Sequence, residues 1–102
     1  MRLWIDDVRP APEGYIWCKS VQEAKDTVLM LELYATANES YKVELIDIDH
    51  DAGKFGPPDY IKVLDWLEET ERNYPIRIHS MNPVGVENIR RIIQRNGWTE
   101  VK

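Results

Sequence analysis

Apolar residues along this chain fall into short continuous runs that alternate with stretches of three-to-four spacing. Leu3-Trp4-Ile5 is a run of the first kind, and it stops at the paired acids Asp6 and Asp7. It predicts a buried strand. "RPAPEG" follows, with two prolines and a glycine, and predicts a loop too broken for a useful helix. Tyr15-Ile16-Trp17-Cys18 predicts a second, aromatic strand. Ser20 and Glu23 then have the spacing of a capping box, in which hydroxyl and carboxylate satisfy free backbone N–H groups at a helix start. Val21, Ala24, Val28 and Leu31 carry that helix to about residue 35, before the polar "TANES".

The same grammar continues. Residues 43–48 predict a mostly buried strand that leads into Asp49-His50-Asp51. "AGKFGPP" is a loop, and Asp59 is positioned to cap a helix carrying Tyr60, Val63, Leu64 and Leu67 on one face. Ile76 and Ile78 belong to a strand ending at His79-Ser80. Asn82-Pro83 gives a helix start, with Asn as cap and Pro at the first helical position. Ile89, Ile92 and Ile93 form its stripe, Asn96-Gly97 its stop, and residues 98–101 a short last strand.

This order of strands and helices predicts a parallel sheet with covering helices. Right-handed crossovers bring every strand's C-terminal end to one edge, where ligands of open α/β sheets sit. Three of those ends read Asp6-Asp7, Asp49-His50-Asp51 and His79-Ser80. Residues remote in sequence are thus expected at a shared rim.

Length and composition narrow the setting. The 102 residues suit one domain, residues 1–102, and 43% apolar content can form a core. A net charge of −5 argues against broad nucleic-acid binding, which needs a basic face, but leaves room for a nucleotide or strand end in a local pocket. Cys18 is the one cysteine, so no internal disulfide or thiolate metal cage forms. The first ten residues lack a signal-peptide core, and no apolar run approaches the ~20 residues of a membrane span. A cytoplasmic location is expected.

Asp6, Asp7, Asp49 and Asp51 would repel one another at a shared rim. A divalent cation is the usual remedy, and carboxylate oxygens suit magnesium, manganese or calcium. Histidine nitrogens would move the preference toward manganese or zinc. The alternative is that these acids simply face solvent. Asp47 precedes the strand end and is read as structural. His50 and His79 are candidate acid–base catalysts, since imidazole titrates near neutral pH. Ser80 and Asn82, with Gly85 in the next helix's first turn, are candidate phosphate contacts at a helix N-terminus. Arg9 and Lys54, in the two rim loops, are candidate cationic partners for phosphate.

"IDDVRPAPEGY", "DHDAG" and "IHSMNPVG" together resemble the cyclic-phosphate-processing receiver-like domain, a shortened variant of the response-regulator receiver fold. The resemblance implies a flavodoxin-like parallel sheet in the order 2-1-3-4-5, with helices on both faces and the first receiver helix reduced to the "RPAPEG" loop. It implies activity on cyclic phosphate ends of nucleotides or RNA. The matching positions are Asp6, Asp7, Arg9, Asp49, His50, Asp51, His79, Ser80 and Asn82. One position departs: the family often has a basic residue after the last glycine, and here it is Val86.

The leading expectation is therefore a small phosphoesterase. Asp49, His50 and His79 carry its chemistry, Asp6, Asp7, Asp49 and Asp51 hold magnesium or manganese, and Arg9, Lys54, Ser80, Asn82 and Gly85 bind phosphate. One rival is a signalling receiver phosphorylated on Asp49. The other is a non-catalytic module that binds a nucleotide or a protein.

Overall fold

The computed structural model describes residues 1–49 and 60–102. Five parallel strands form one sheet: β1 (Arg2–Ile5), β2 (Tyr15–Cys18), β3 (Leu45–Ile48), β4 (Ile76–Ile78) and β5 (Glu100–Val101). Their spatial order is β2-β1-β3-β4-β5. Three helices connect them: α1 (Val21–Ala35), α2 (Ile61–Glu69) and α3 (Pro83–Asn96). A 3-10 turn, Glu39–Tyr41, precedes β3. The sequence-based element order holds throughout, and β5 is shorter than expected. The proposed Asp59 cap lies outside the described residues; Tyr60 occupies the N-cap position of α2 and makes no side-chain cap bond.

Two helix starts and one stop form as the sequence dictates. Ser20 Oγ accepts from Glu23 N, and the Glu23 carboxylate accepts from Lys19 N. Asn82 Oδ1 accepts from Val84 N and Gly85 N. Gly97 ends α3 in the left-handed region, at φ 68°. Nothing among the described helices is long and apolar enough to cross a membrane.

Helices were expected on both faces of the sheet; the three described helices instead lie side by side on one. α1 contacts α2, and α2 contacts α3. Topology explains this. The crossovers β2→β3, β3→β4 and β4→β5 all run the same way across the sheet, so right-handedness puts their helices on one side. Only β1→β2 runs the opposite way, and residues 6–14 between those strands hold no helix.

Strand residues alternate accordingly. Leu3, Ile5, Cys18, Ile46, Ile48 and Ile76 are fully buried under the helices, against Val28, Leu64, Leu67 and Ile89. The Cys18 thiol is held up in pKa by that burial. Residues of the other parity, among them Arg2, Trp4, Trp17, Asp47 and Arg77, occupy the helix-free face, in register Trp17–Trp4–Asp47–Arg77 across four strands.

Candidate active site

The backbone carries three strand ends to one rim. Just past the strands, Asp6 N donates to Cys18 O (3.1 Å), Asp49 N to Ile5 O (3.0 Å) and His79 N to Ile48 O (3.1 Å). Each rim residue is thus bonded to the last residue of the neighbouring strand. Asp6, Asp49 and His79 share the parity of Trp4, Asp47 and Arg77, so their side chains rise on the helix-free side.

There they meet. The His79 ring lies flat on the Trp4 indole, with centroids 3.7 Å apart and planes at 4°. Its Nδ1 is 2.6 Å from Asp47 Oδ1 and its Nε2 is 3.0 Å from Asp6 Oδ2. Both carboxylates are fully buried, and Asp49 is nearly so. A neutral imidazole offers one N–H. Satisfying both contacts takes either a doubly protonated ring or a proton on one carboxyl.

Three buried acids so close together need positive partners. Arg9 Nε is 3.3 Å from Asp6 Oδ2, and Arg9 Nη2 is 3.6 Å from Asp49 Oδ2. Arg9 Nη1 also donates to His79 O at 3.2 Å. Arg77 Nη1 lies 3.6 Å from Asp47 Oδ2. Asp6, Asp47 and Asp49 are thus met by two guanidinium groups and an imidazole.

Asp6 does two things at once. Its Oδ1 accepts from Val8 N (2.8 Å) and Arg9 N (2.9 Å), closing a turn in the loop that replaces a helix. Its Oδ2 serves His79 and Arg9. Trp4 Nε1 donates to Arg9 O at 2.9 Å, so the loop is also tied down to β1.

Asp7 adjoins Tyr60. Its Oδ1 is buried and has no hydrogen-bond partner among the described residues. Its charge acts on Tyr60, whose phenol is pushed well above its ordinary pKa, first by burial and then by Asp7. Tyr60 donates its hydroxyl to Lys19 O, 3.1 Å away. Ser80 Oγ accepts from Asn82 N at 3.2 Å. Gly85 is buried, and its N–H is already taken by the Asn82 cap. His50, Asp51 and Lys54 lie outside the described residues.

Of the sequence-based candidates, Asp6, Arg9, Asp49 and His79 thus converge; Asp7 meets Tyr60, whose phenol also feels Asp6 and Asp49, while Ser80 and Asn82 are bonded at the start of α3. Trp4, Asp47 and Arg77 join the cluster around His79 without having been singled out for chemistry. Asp47 was read as structural, yet it holds the His79 ring. The signal was present: Asp47 and Asp49 are two apart in a strand and therefore share a face.

A family model described as the cyclic-phosphate processing receiver domain matches residues 1–95. The chain belongs to that family. The described residues of this receiver domain form the five-strand parallel sheet and three helices. No curated protein and no solved structure matches it. Among the described residues, no group of three or more His, Cys, Asp or Glu side chains is placed to hold a metal ion.

Proposed function

We propose that this receiver domain hydrolyses cyclic phosphates on nucleotides or RNA ends, at the rim formed by Asp6, Arg9, Asp49 and His79. The observation that carries this reading is the clamped imidazole: His79 sits between Asp47 and Asp6, beside a partly exposed arginine. Asp47 anchors Nδ1, which fixes the orientation of the ring and directs Nε2 to the rim. Water attacks phosphorus, one ring P–O bond breaks, and the released oxygen takes up a proton. The His79–Asp6 pair, which carries the extra proton that its two carboxylate contacts require, supplies that proton to the released oxygen. His50, next to Asp49 in sequence, is assigned the acceptance of the proton that the water gives up, on sequence grounds alone. Arg9 offers a forked contact to the phosphate oxygens as charge builds on them.

A divalent ion fits only part of the expected ligand set. Both oxygens of Asp6 already accept from protein donors. Asp7, with its orphaned buried oxygen, and Asp49 are the described carboxylates that would hold magnesium or manganese, with the remaining positions left to water and phosphate. When bound, the ion would polarise the phosphoryl group.

The test is incubation with 2′,3′-cyclic nucleotides, with magnesium, manganese or a chelator, and chromatography of the monophosphates formed. Turnover is expected, and His79→Gln should lower it at least ~100-fold, the usual scale for a lost acid–base group. Absence of turnover under every condition, or an unaffected His79→Gln variant, rules the reading out. Acetyl phosphate in parallel, read by intact mass, reports the rival phosphorylation of Asp49.

A further inference from the structure

The sheet face without helices carries more than the rim. Arg2 and Trp4 of β1 lie in register with Tyr15 and Trp17 of β2. All three rings are partly exposed. Each also has a planar or cationic neighbour. Arg2 Cζ is 4.7 Å above the Tyr15 ring, and Lys19 Nζ is 4.3 Å above Trp17. Tyr15 meets Trp4 edge-on at 5.8 Å, and Trp4 itself carries His79 of the rim. The aromatic strip therefore runs without a break into the candidate active site.

The exposed charges on this face are cationic, although the chain has a net charge of −5: Arg2 and Arg77 in the strands, with Lys19 just past β2. The acids of this face, Asp47 within β3 and Asp6 and Asp49 just past their strands, are buried and paired with Arg9, Arg77 and His79. Gly14 makes the arrangement at Arg2 possible: a Cβ there would lie 2.8 Å from Arg2 Nη2, and its φ of +87° already disfavours a side chain.

Aromatic rings interleaved with cations on an open sheet are the physical requirements of single-stranded nucleic acid. The energies also favour exchange. An exposed cation–π contact is worth about 0.5–1 kcal/mol, whereas stacking one base on an aromatic ring is worth about 1–3 kcal/mol. An arriving base would displace Arg2 or Lys19 from its ring and leave that cation free to meet a phosphate.

We propose that this face is a stacking platform for the bases of single-stranded RNA whose 3′ end reaches the rim. The inference rests on the proposed function for the placing of that end, because a 2′,3′-cyclic phosphate requires ribose. It makes the preferred ligand an oligoribonucleotide rather than a mononucleotide.

Fluorescence anisotropy would test this with a labelled RNA of about six nucleotides, within the footprint of known single-strand binders. The RNA would end in a 2′,3′-cyclic phosphate or in a plain 3′-hydroxyl, and unlabelled cyclic mononucleotide would serve as competitor. The oligomer is expected to bind at least tenfold more tightly than the mononucleotide. Trp17→Ala should weaken it by about 5- to 100-fold, the range of one lost stack. Since Trp17 also donates to Asp6 O, the Arg2→Ser/Lys19→Ser double variant provides a second, gentler test. It should lower both affinity and the salt dependence of binding, by roughly 0.7 in log–log slope per lost phosphate contact. Arg91→Ser, which removes an exposed charge from the helix layer, should change neither.

Equal affinity for oligomer and mononucleotide would overturn the proposal. So would an equal loss in Arg91→Ser, or competition by polyphosphate as effective as by RNA, which would point to a base-free anionic partner. Tight binding of the 3′-hydroxyl RNA without turnover would sustain the platform and remove the proposed hydrolysis. Turnover of mononucleotides without any gain from added bases would do the reverse.

Discussion

β3 shows both characters of this molecule in four residues. Ile46 and Ile48 face the helices and are fully buried among other apolar side chains. Leu45 and Asp47 face the other way, where Asp47 is held by His79 and Arg77. On the helix side, contacts are non-directional and many residues share each one's role. On the open side, Asp6, Asp47, Asp49 and His79 are held by named charged partners at set distances. Packing there is thin, and directed pairs replace it.

The largest effect should come from the packed face. Ile46→Ala is expected to cost about 2–5 kcal/mol, as for other buried aliphatic truncations, read from urea unfolding. A loss below about 1 kcal/mol would mean that the helix layer does not seal that position. Asp47→Asn should come next, at about 1–3 kcal/mol, because His79 and Arg77 lose a buried anionic partner. The same unfolding assay measures it, and a neutral outcome would make the directed pairs on the open face dispensable for stability.

The smallest effect belongs to a polar clasp on the packed side. Arg90 Nε and Nη2 each donate to Glu100 at 2.8 Å, joining α3 to β5. These bonds hold the Glu100 carboxyl at a pKa of about 2, below its ordinary 4.5. A depressed acid stabilises the fold above its unfolded pKa, and that contribution is lost as pH falls through the folded value. Glu100→Gln should therefore cost under about 1 kcal/mol near neutral pH. Its unfolding curve should converge with that of the parent chain between pH 4.5 and about 2. A gap that persisted at the acid end would show that the clasp works through shape rather than charge.

The fold was largely legible in the sequence because its signals are local. The Ser20–Glu23 capping box, the Asn82-Pro83 start and the Gly97 stop each act within a few residues. The sidedness of the helices was not local. It depends on the direction of each crossover, and only the missing β1→β2 helix reveals it. The candidate site divided in the same way. Asp6, Asp49 and His79 announce themselves at strand ends, and Arg9 in the loop that follows the first. Asp47 and Trp4 lie inside strands, where an acid or an indole reads as a structural residue. Their part appears only when β1, β3 and β4 are set in register and His79 folds back over them. Gly85 shows the opposite error: a glycine in a helix's first turn suggests an anion site, but the Asn82 side chain already holds its N–H.

The divided duty of the Asp6 carboxyl has a consequence for how mutants of this domain should be interpreted. One oxygen shapes the chain between β1 and β2, while the other meets the imidazole and Arg9. Truncation to alanine would delete architecture and electrostatics together, so a loss of function would name no culprit. An asparagine keeps a carbonyl for the turn and replaces only the outward oxygen, which makes the two jobs separable at a single atom.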